Sequence, residues 1–285
     1  MRRNDIEQSM FGATGQAVTR VGLGGEGVLR THGHHEQAHA VVERALAKGI
    51  TYFDTAPAYA GSEAYLGSIW KDVPERRTAI FHTSKSAQRS YSGAMRDLER
   101  TLATLHTDYL DLWQIHDVRD MDEVTTIGSA DGALRAFLEA RESGVVRHIG
   151  VTGHHDPDVL TKCVQLWPLD SVLLPVNPVE AVLGGFLTET LPAARNKSMA
   201  VVAMKVLGGG HYLASEQGLT AQALLRFALA QAVDVVIVGC SSPYEVDLLV
   251  QTAGMTPAME ETEQARLVDI FRPYAGKLAF YRGKK

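Results

Sequence analysis

The sequence predicts a single α/β domain, a (β/α)8 barrel of the TIM type with a short N-terminal hairpin and one extra C-terminal helix. Three observations carry that reading. Eight short β-branched runs alternate with longer segments of helical period, the pattern of parallel strands buried on both faces and covered by helices. The chain has 285 residues, which such a barrel fills as one unit, so residues 1–285 are read as one domain. Hydrophobic residues make up 45% and charged residues 21%, a balance that allows a large buried core.

The predicted strands, in order, are TRVGLGG (19–25), ITYFDTA (50–56), TAIFHTSK (78–85), YLDLWQIH (109–116), VRHIGVTG (146–153), SVLLPVN (171–177), MAVVAMK (199–205) and DVVIVGC (234–240). Between and after them AHAVVERALAKG, SEAYLGSIW, AMRDLERTLATL, GALRAFLEARESG, PDVLTKCVQLW, AQALLRFALAQA and YEVDLLVQTAGM place apolar residues at helical spacing. Gly49 and Gly144 follow two of these segments, where a left-handed residue closes the last turn. The remaining segment, VLGGFLTETLPAARNK, is also read as helix, although it contains Gly184, Gly185 and Pro192. Ahead of the barrel, FGATGQAVT predicts a hairpin across the barrel bottom. After it, MEETEQARLVDIFRPYAG predicts a helix beginning near Glu260.

Composition excludes several classes of function. Lys and Arg number 28 against 33 Asp and Glu, a net charge of -5, and no basic run tracks a phosphate backbone, so nucleic acid is not expected. Cys163 and Cys240 are too few for a disulfide framework or a four-thiolate metal site. The N-terminus MRRNDIEQSMFG is polar where a signal peptide is apolar, and no window reaches the ~18 apolar residues of a membrane span. A cytoplasmic protein, monomeric or a small homo-oligomer, is the expectation. The basic RGKK end reads as a solvated tail.

Catalytic groups in such a barrel come from the C-terminal strand ends and the loops after them. Asp54 and Tyr59 follow the second strand in FDTAPAYAGSE, Lys85 ends the third in FHTSK, and His116 ends the fourth in LWQIHD. An Asp and a Lys on neighbouring strands can pair, as buried charges must. A tyrosine hydroxyl near that ammonium is expected to have a lowered pKa and to exchange protons with a carbonyl oxygen.

These motifs, FDTAPAYAGSEAYLG, TSK and QIH in that order, resemble those of the aldo-keto reductase superfamily, and the likeness runs from the GLGG strand end to GCSSPYEV. Four positions must agree over tens of residues, which makes the match specific. The resemblance implies a catalytic tetrad with Tyr59 as general acid/base, Asp54 and Lys85 tuning it, and His116 orienting the carbonyl of a small-molecule carbonyl or alcohol substrate. It implies direct hydride transfer with NADP or NAD and no metal. The cofactor would lie extended along the strand ends near Gly24, Gly25, Thr152, Asn177, Met204, Lys205, Leu207, Gly239, Ser241, Ser242 and Glu245.

Several of these positions depart from the family pattern. Met204 stands where many relatives have a tyrosine, Leu173 where they have a glutamine, and Thr152-Gly153 where they have Ser-Asn. Glu245 stands where an arginine binds the adenosine 2′-phosphate, so weak discrimination between NADPH and NADH is expected. GLGGEG lacks the glycine frame of a dinucleotide-binding strand-helix turn. The cluster His32, His34 and His35 has no acid or thiol in a ligand frame. His154 and His155 follow the fifth strand, with Asp156 expected to cap the next helix and either histidine able to line the pocket mouth. Two other readings compete: a Schiff-base aldolase using Lys85 or Lys205, and a regulatory subunit that senses the cofactor with little turnover. Substrate choice is expected to reside in RDMDEVTTIGSADG, GHYLASEQG and PYAGKLAFYRGKK.

Overall fold

A computed structural model describes residues 6–255 and 258–283; the start of the polar N-terminus and the end of the RGKK tail lie outside them. Strands β1 (Gln8–Met10) and β2 (Ala17–Thr19) form an antiparallel hairpin. The next eight strands are β3 (Val21–Gly27), β4 (Tyr52–Asp54), β5 (Phe81–Ser86), β6 (Leu110–Ile115), β7 (Val146–Thr152), β8 (Ser171–Pro175), β9 (Ala200–Met204) and β10 (Val235–Cys240). They pair in parallel in chain order, and β10 closes onto β3. Each of the eight runs read from the sequence supplies one of them.

Thirteen α-helices follow the chain among the described residues: α1 (His35–Lys48), α2 (Ser62–Asp72), α3 (Pro74–Thr78), α4 (Tyr91–Leu105), α5 (Met121–Ile127), α6 (Ala133–Glu142), α7 (Pro157–Leu166), α8 (Pro178–Leu183), α9 (Leu191–Asn196), α10 (Ala221–Leu229), α11 (Pro243–Ala253), α12 (Glu261–Phe271) and α13 (Ala275–Leu278). None is long and apolar enough to cross a membrane. Gly49 and Gly144 do take positive φ, 86° and 78°. The segment read as one helix over 182–197 is instead divided. Asn177 caps α8 by accepting from Glu180 N, Gly184 and Gly185 then adopt φ of 72° and 87°, and a π-helical turn (Phe186–Thr190) leads into α9. Three short helices, α3, α5 and α13, were not anticipated. Of these α5 does carry a local signal, since Asp120 accepts from Glu123 N in the DMDE start.

The pleat sorts the barrel residues into two cores. Outward residues such as Phe53, Trp113, Val201, Ala203 and Val236 pack under the helices. Inward residues, Tyr52, Phe81, Leu112, Leu173, Val202 and Val235, fill the barrel with Phe11 and Val18 from the hairpin. Phe11 is fully buried, its ring centroid 4.8 Å from that of Phe81 and 5.8 Å from that of Tyr52. The hairpin is therefore the plug of the barrel bottom. Following the same inward faces upward, Tyr52 leads to Asp54, Phe81 to Thr83 and Lys85, and Leu112 to Gln114. Apolar layers at the bottom thus give way to polar groups at the top.

If the hairpin plugs the barrel, Phe11→Ala lowers stability by about 3–5 kcal/mol, the usual scale for emptying a buried aromatic site. Urea unfolding measures it, and a loss below about 1 kcal/mol would show that Phe11 is not part of the core.

Candidate active site

The top of the barrel is organised by strand register. Asp54 on β4 aligns with Thr83 on β5, and Lys85 aligns with Gln114 on β6. Lys85 therefore stands one inward step above the Asp54 layer. Its Nζ donates to Asp54 Oδ1 at 2.7 Å, to Asp54 Oδ2 at 2.6 Å and to the Thr55 carbonyl at 2.9 Å. Thr83 Oγ1 also donates to Asp54 Oδ1 at 2.9 Å. Both charged side chains are almost completely buried, so the pairing supplies what water would have supplied. Burial lowers the Lys85 pKa, against which Asp54 raises it.

Tyr59 lies in the tight turn after β4, where its N–H donates to Ala56 O and its carbonyl accepts from Ser62 N. The Lys85 Nζ is 4.6 Å from the centre of the Tyr59 ring. The ring meets the His116 ring edge-on at 5.6 Å, and the Arg30 guanidinium lies 5.3 Å from its centre. Gly25 makes this packing possible: a Cβ there would fall 2.6 Å from Tyr59 Cδ2 and 3.0 Å from Asp54 O. His116 emerges from β6 with its N–H on Ser86 O.

One electrostatic expectation is overturned. The Tyr59 pKa is raised well above its ordinary value, by burial first and then by the Asp54 and Glu26 carboxylates. Lys85, whose ammonium is bonded to both Asp54 oxygens, does not outweigh burial and the two carboxylates. Tyr59 is therefore a protonated donor in this environment. The His116 pKa falls to about 3, through burial and then the Lys85 charge, so the imidazole is neutral around pH 7.

A cavity of about 510 Å³ opens beside Tyr59. Of the positions expected to hold a cofactor, Gly24, Gly25, Met204, Lys205, Leu207, Gly239, Ser241 and Glu245 line it, together with Leu173. Thr152, Asn177 and Ser242 use their side chains otherwise. Thr152 Oγ1 accepts from Asp117 N at 2.8 Å, and Ser242 caps α11 by accepting from Glu245 N. Asn177 Nδ2 donates to Lys205 O and Tyr281 Oη, while its Oδ1 caps α8. Phe280, in the C-terminal segment expected to govern substrate choice, lines it too, as do Glu26, Arg30 and Val238, which were not singled out in the sequence. Glu26 and Arg30 pair at 2.6 Å, an i, i+4 spacing that the sequence does contain. Their place at the cavity wall depends on how the end of β3 and the 3-10 turn after it fold.

His116 makes acid stability testable. Its folded pKa lies below the ordinary 6.5, so between pH 6.5 and about 3 the unfolded chain binds the proton that the folded site refuses. That contribution is absent above pH 6.5 and destabilises the fold progressively as pH falls through the window. His116→Gln should therefore flatten part of the acid limb of stability, read from denaturant unfolding at a series of pH values. An unchanged limb would mean that His116 titrates normally.

Comparison with known proteins adds the lineage. The chain is 27% identical over 233 residues to L-galactose dehydrogenase of Arabidopsis thaliana, covering 75% of this chain and 68% of that one. It is 28% identical over 236 residues to D-threo-aldose 1-dehydrogenase of a Pseudomonas species, covering 72% and 70%. Among solved structures, an aldo-keto reductase of Klebsiella pneumoniae in complex with NADPH superposes with a TM-score of 0.76 at 21% identity, over 94% of this chain and 96% of that one. That likeness establishes the barrel fold. The profile of the Aldo/keto reductase family matches residues 20–219, a span that includes Asp54, Tyr59, Lys85 and His116, and the chain belongs to that family.

Proposed function

We propose that this aldo/keto reductase, an NAD(P)-dependent oxidoreductase, interconverts an aldehyde, ketone or sugar carbonyl with the alcohol, Tyr59 donating the proton. The observation that carries this reading is the Tyr59 phenol set beside the buried Lys85–Asp54 pair at the edge of a large cavity. The relatives named for galactose and aldose oxidation support a sugar or related aldehyde as the substrate class.

The cavity suits a nicotinamide dinucleotide. Its volume lies within the range of cofactor sites. One wall is bare backbone, because a Cβ on Gly24 would fall 3.1 Å from Gly239 N and one on Gly239 would fall 2.4 Å from the Glu26 carbonyl carbon. Leu173 and Met204 offer apolar surface to a ring, and Lys205 brings a cation. A nicotinamide bound there supplies or accepts the hydride.

The residues of the chain handle the oxygen. Tyr59 and neutral His116 place hydrogen-bond donors where negative charge develops, and the phenol gives up its proton to the nascent alkoxide. Lys85, held by Asp54, stabilises the phenolate that results. In the direction of oxidation the same phenolate is the base, so its raised pKa favours oxidation at alkaline pH. Lys85 is poorly suited to imine formation, since its ammonium is occupied by three acceptor atoms. Tyr59→Phe is accordingly expected to reduce kcat by roughly 10²–10⁴-fold, the contribution of a positioned acid, with cofactor affinity little changed. Near-normal aldehyde turnover by that variant would refute the role of Tyr59.

Cofactor choice follows from Glu245. Its Oε2 accepts from Ser241 N at 2.6 Å, which takes up a backbone donor that a phosphate would otherwise engage. A carboxylate in that position repels a 2′-phosphate, so NADH should be used at least as well as NADPH. Glu245→Arg should shift preference toward NADPH by roughly 1–2 kcal/mol, about one charge-assisted hydrogen bond. Comparing kcat/KM for both cofactors on one aldehyde checks this, and a strong NADPH preference in the unmodified protein would refute it.

A further inference from the structure

Immediately beyond the tetrad, three side chains converge that the carbonyl chemistry does not use. Asp117 follows His116 and adopts a left-handed φ of 56°, a conformation that Asp tolerates better than most residues. Its N–H donates to Thr152 Oγ1 at 2.8 Å, which fixes the turn after β6 against the end of β7. His154 and His155 leave β7 two and three residues after that threonine. Asp117 Oδ1 then lies 3.1 Å from His154 Nε2 and 3.8 Å from His155 Nε2. One ligand atom from each residue falls within 4.8 Å of the others.

The remaining atoms of Asp117 and His154 are already committed. Asp117 Oδ2 accepts from Arg119 Nε at 2.9 Å and from Nη2 at 2.7 Å, so only Oδ1 faces the histidines. That oxygen is buried and has no hydrogen-bond donor. His154 Nδ1 is 3.0 Å from the Tyr281 carbonyl, which can only accept, so Nδ1 carries a proton. In a neutral ring Nε2 is then a lone pair pointed at a carboxylate oxygen. Two acceptors at 3.1 Å require a cation between them. A proton on Nε2 could serve for His154 alone; His155, bringing a second imidazole nitrogen to the same oxygen, is what a metal ion would use.

We propose that Asp117, His154 and His155 form a binding site for a divalent transition-metal ion of the Zn²⁺ class at the barrel mouth beside His116. Two of the three separations, 3.1 and 3.8 Å, bracket the ~3.4 Å expected between ligands of a tetrahedral ion with bonds of about 2.1 Å, and the set, spread within 4.8 Å, contracts on binding. A histidine that donates its other ring N–H to a carbonyl is the usual arrangement behind a metal ligand, and Tyr281 O provides it here. Three protein ligands leave a fourth position open. The Gly283 N–H donates to His155 O at 3.1 Å, so both histidines also hold the C-terminal segment. An ion at this site ties that segment to the loops after β6 and β7.

The test uses the full-length, tag-free protein, treated with chelator and then titrated with Zn²⁺ alone by calorimetry, and with Co²⁺ alone by visible absorption. Neither cofactor nor substrate is present, so the result is independent of the role of Tyr59. One saturable equivalent per chain is expected, with a tetrahedral-type Co²⁺ band and a Tm that rises with Zn²⁺ by linkage. Asp117→Asn and His155→Ala should each abolish saturable binding while melting close to the metal-free parent. No saturable binding by the parent overturns the proposal and leaves Asp117 and His154 as an imidazolium–carboxylate pair. Binding that survives both substitutions overturns it as well, because the ion would then sit elsewhere.

Discussion

The buried contact between Lys85 and Asp54 is the constraint on which the top of the barrel depends. Neither side chain reaches water, and removing one member of such a pair costs about 3–5 kcal/mol because the survivor is left charged and unpaired. Its geometry leaves little freedom. The carboxylate takes both of its oxygens to the ammonium and one of them to Thr83, while the third acceptor of the ammonium is the carbonyl of Thr55. The pair therefore fixes β4 against β5 and sets the height at which Tyr59 leaves the barrel. Burial favours the neutral form of both Tyr59 and His116, raising one pKa and lowering the other, and the pair reinforces both shifts. The Asp54 carboxylate adds to burial in holding the phenol protonated, whereas the Lys85 ammonium adds to burial in holding the imidazole neutral.

Stability and chemistry are separated along the barrel axis. The lower interior is closed by Phe11 and by apolar residues of the strands, and the polar layer begins one inward step above them. The lower half can therefore be packed for stability without disturbing the ion pair. At the rim the chain relies on backbone conformations that side chains disfavour. Lys205, at the mouth of β9, has a φ of 58°, and Asp117, at the mouth of β6, has a φ of 56°. Both lie where strands end and pocket-forming loops begin, which is where local strain is commonly tolerated for the sake of a site.

The C-terminal segment is integrated into this rim through a buried polar network. Tyr281 Oη donates to Glu180 Oε1 and receives hydrogen bonds from Asn177 and Tyr212. Arg282 pairs with the same Glu180 and reaches the Gly184 carbonyl. The burial that raises the pKa of Glu180 is opposed by that guanidinium. Asn177, expected from the family likeness at the cofactor, serves in the structure as a strut between α8, the β9 mouth and the tail. Phe280 can line the cavity because Tyr281 anchors its neighbour.

The sequence by itself determined the eight strands, their order, most of the helices and the four residues gathered around the ion pair. These features are local: strand burial, helical period, capping residues and strand-end position are all written within short windows. It also placed the fifth barrel strand over 146–153 and the histidines just after it, within one residue of where β7 ends. Tertiary structure alone decided what those windows could not contain. The break at Gly184 and Gly185 replaced one expected helix by two and a π-helical turn, because two consecutive positive φ values cannot continue an α-helix. The direction of the Tyr59 pKa depended on how deeply the phenol is buried and on the Asp54 carboxylate near it, and the register of β4 and β5 decides that the lysine is bonded to that carboxylate. The meeting of Asp117 with His154 and His155, 37 and 38 residues later in the chain, required β6 and β7 to pair side by side. A sequence records the spacing of such residues along the chain, whereas the barrel closure sets their spacing in three dimensions.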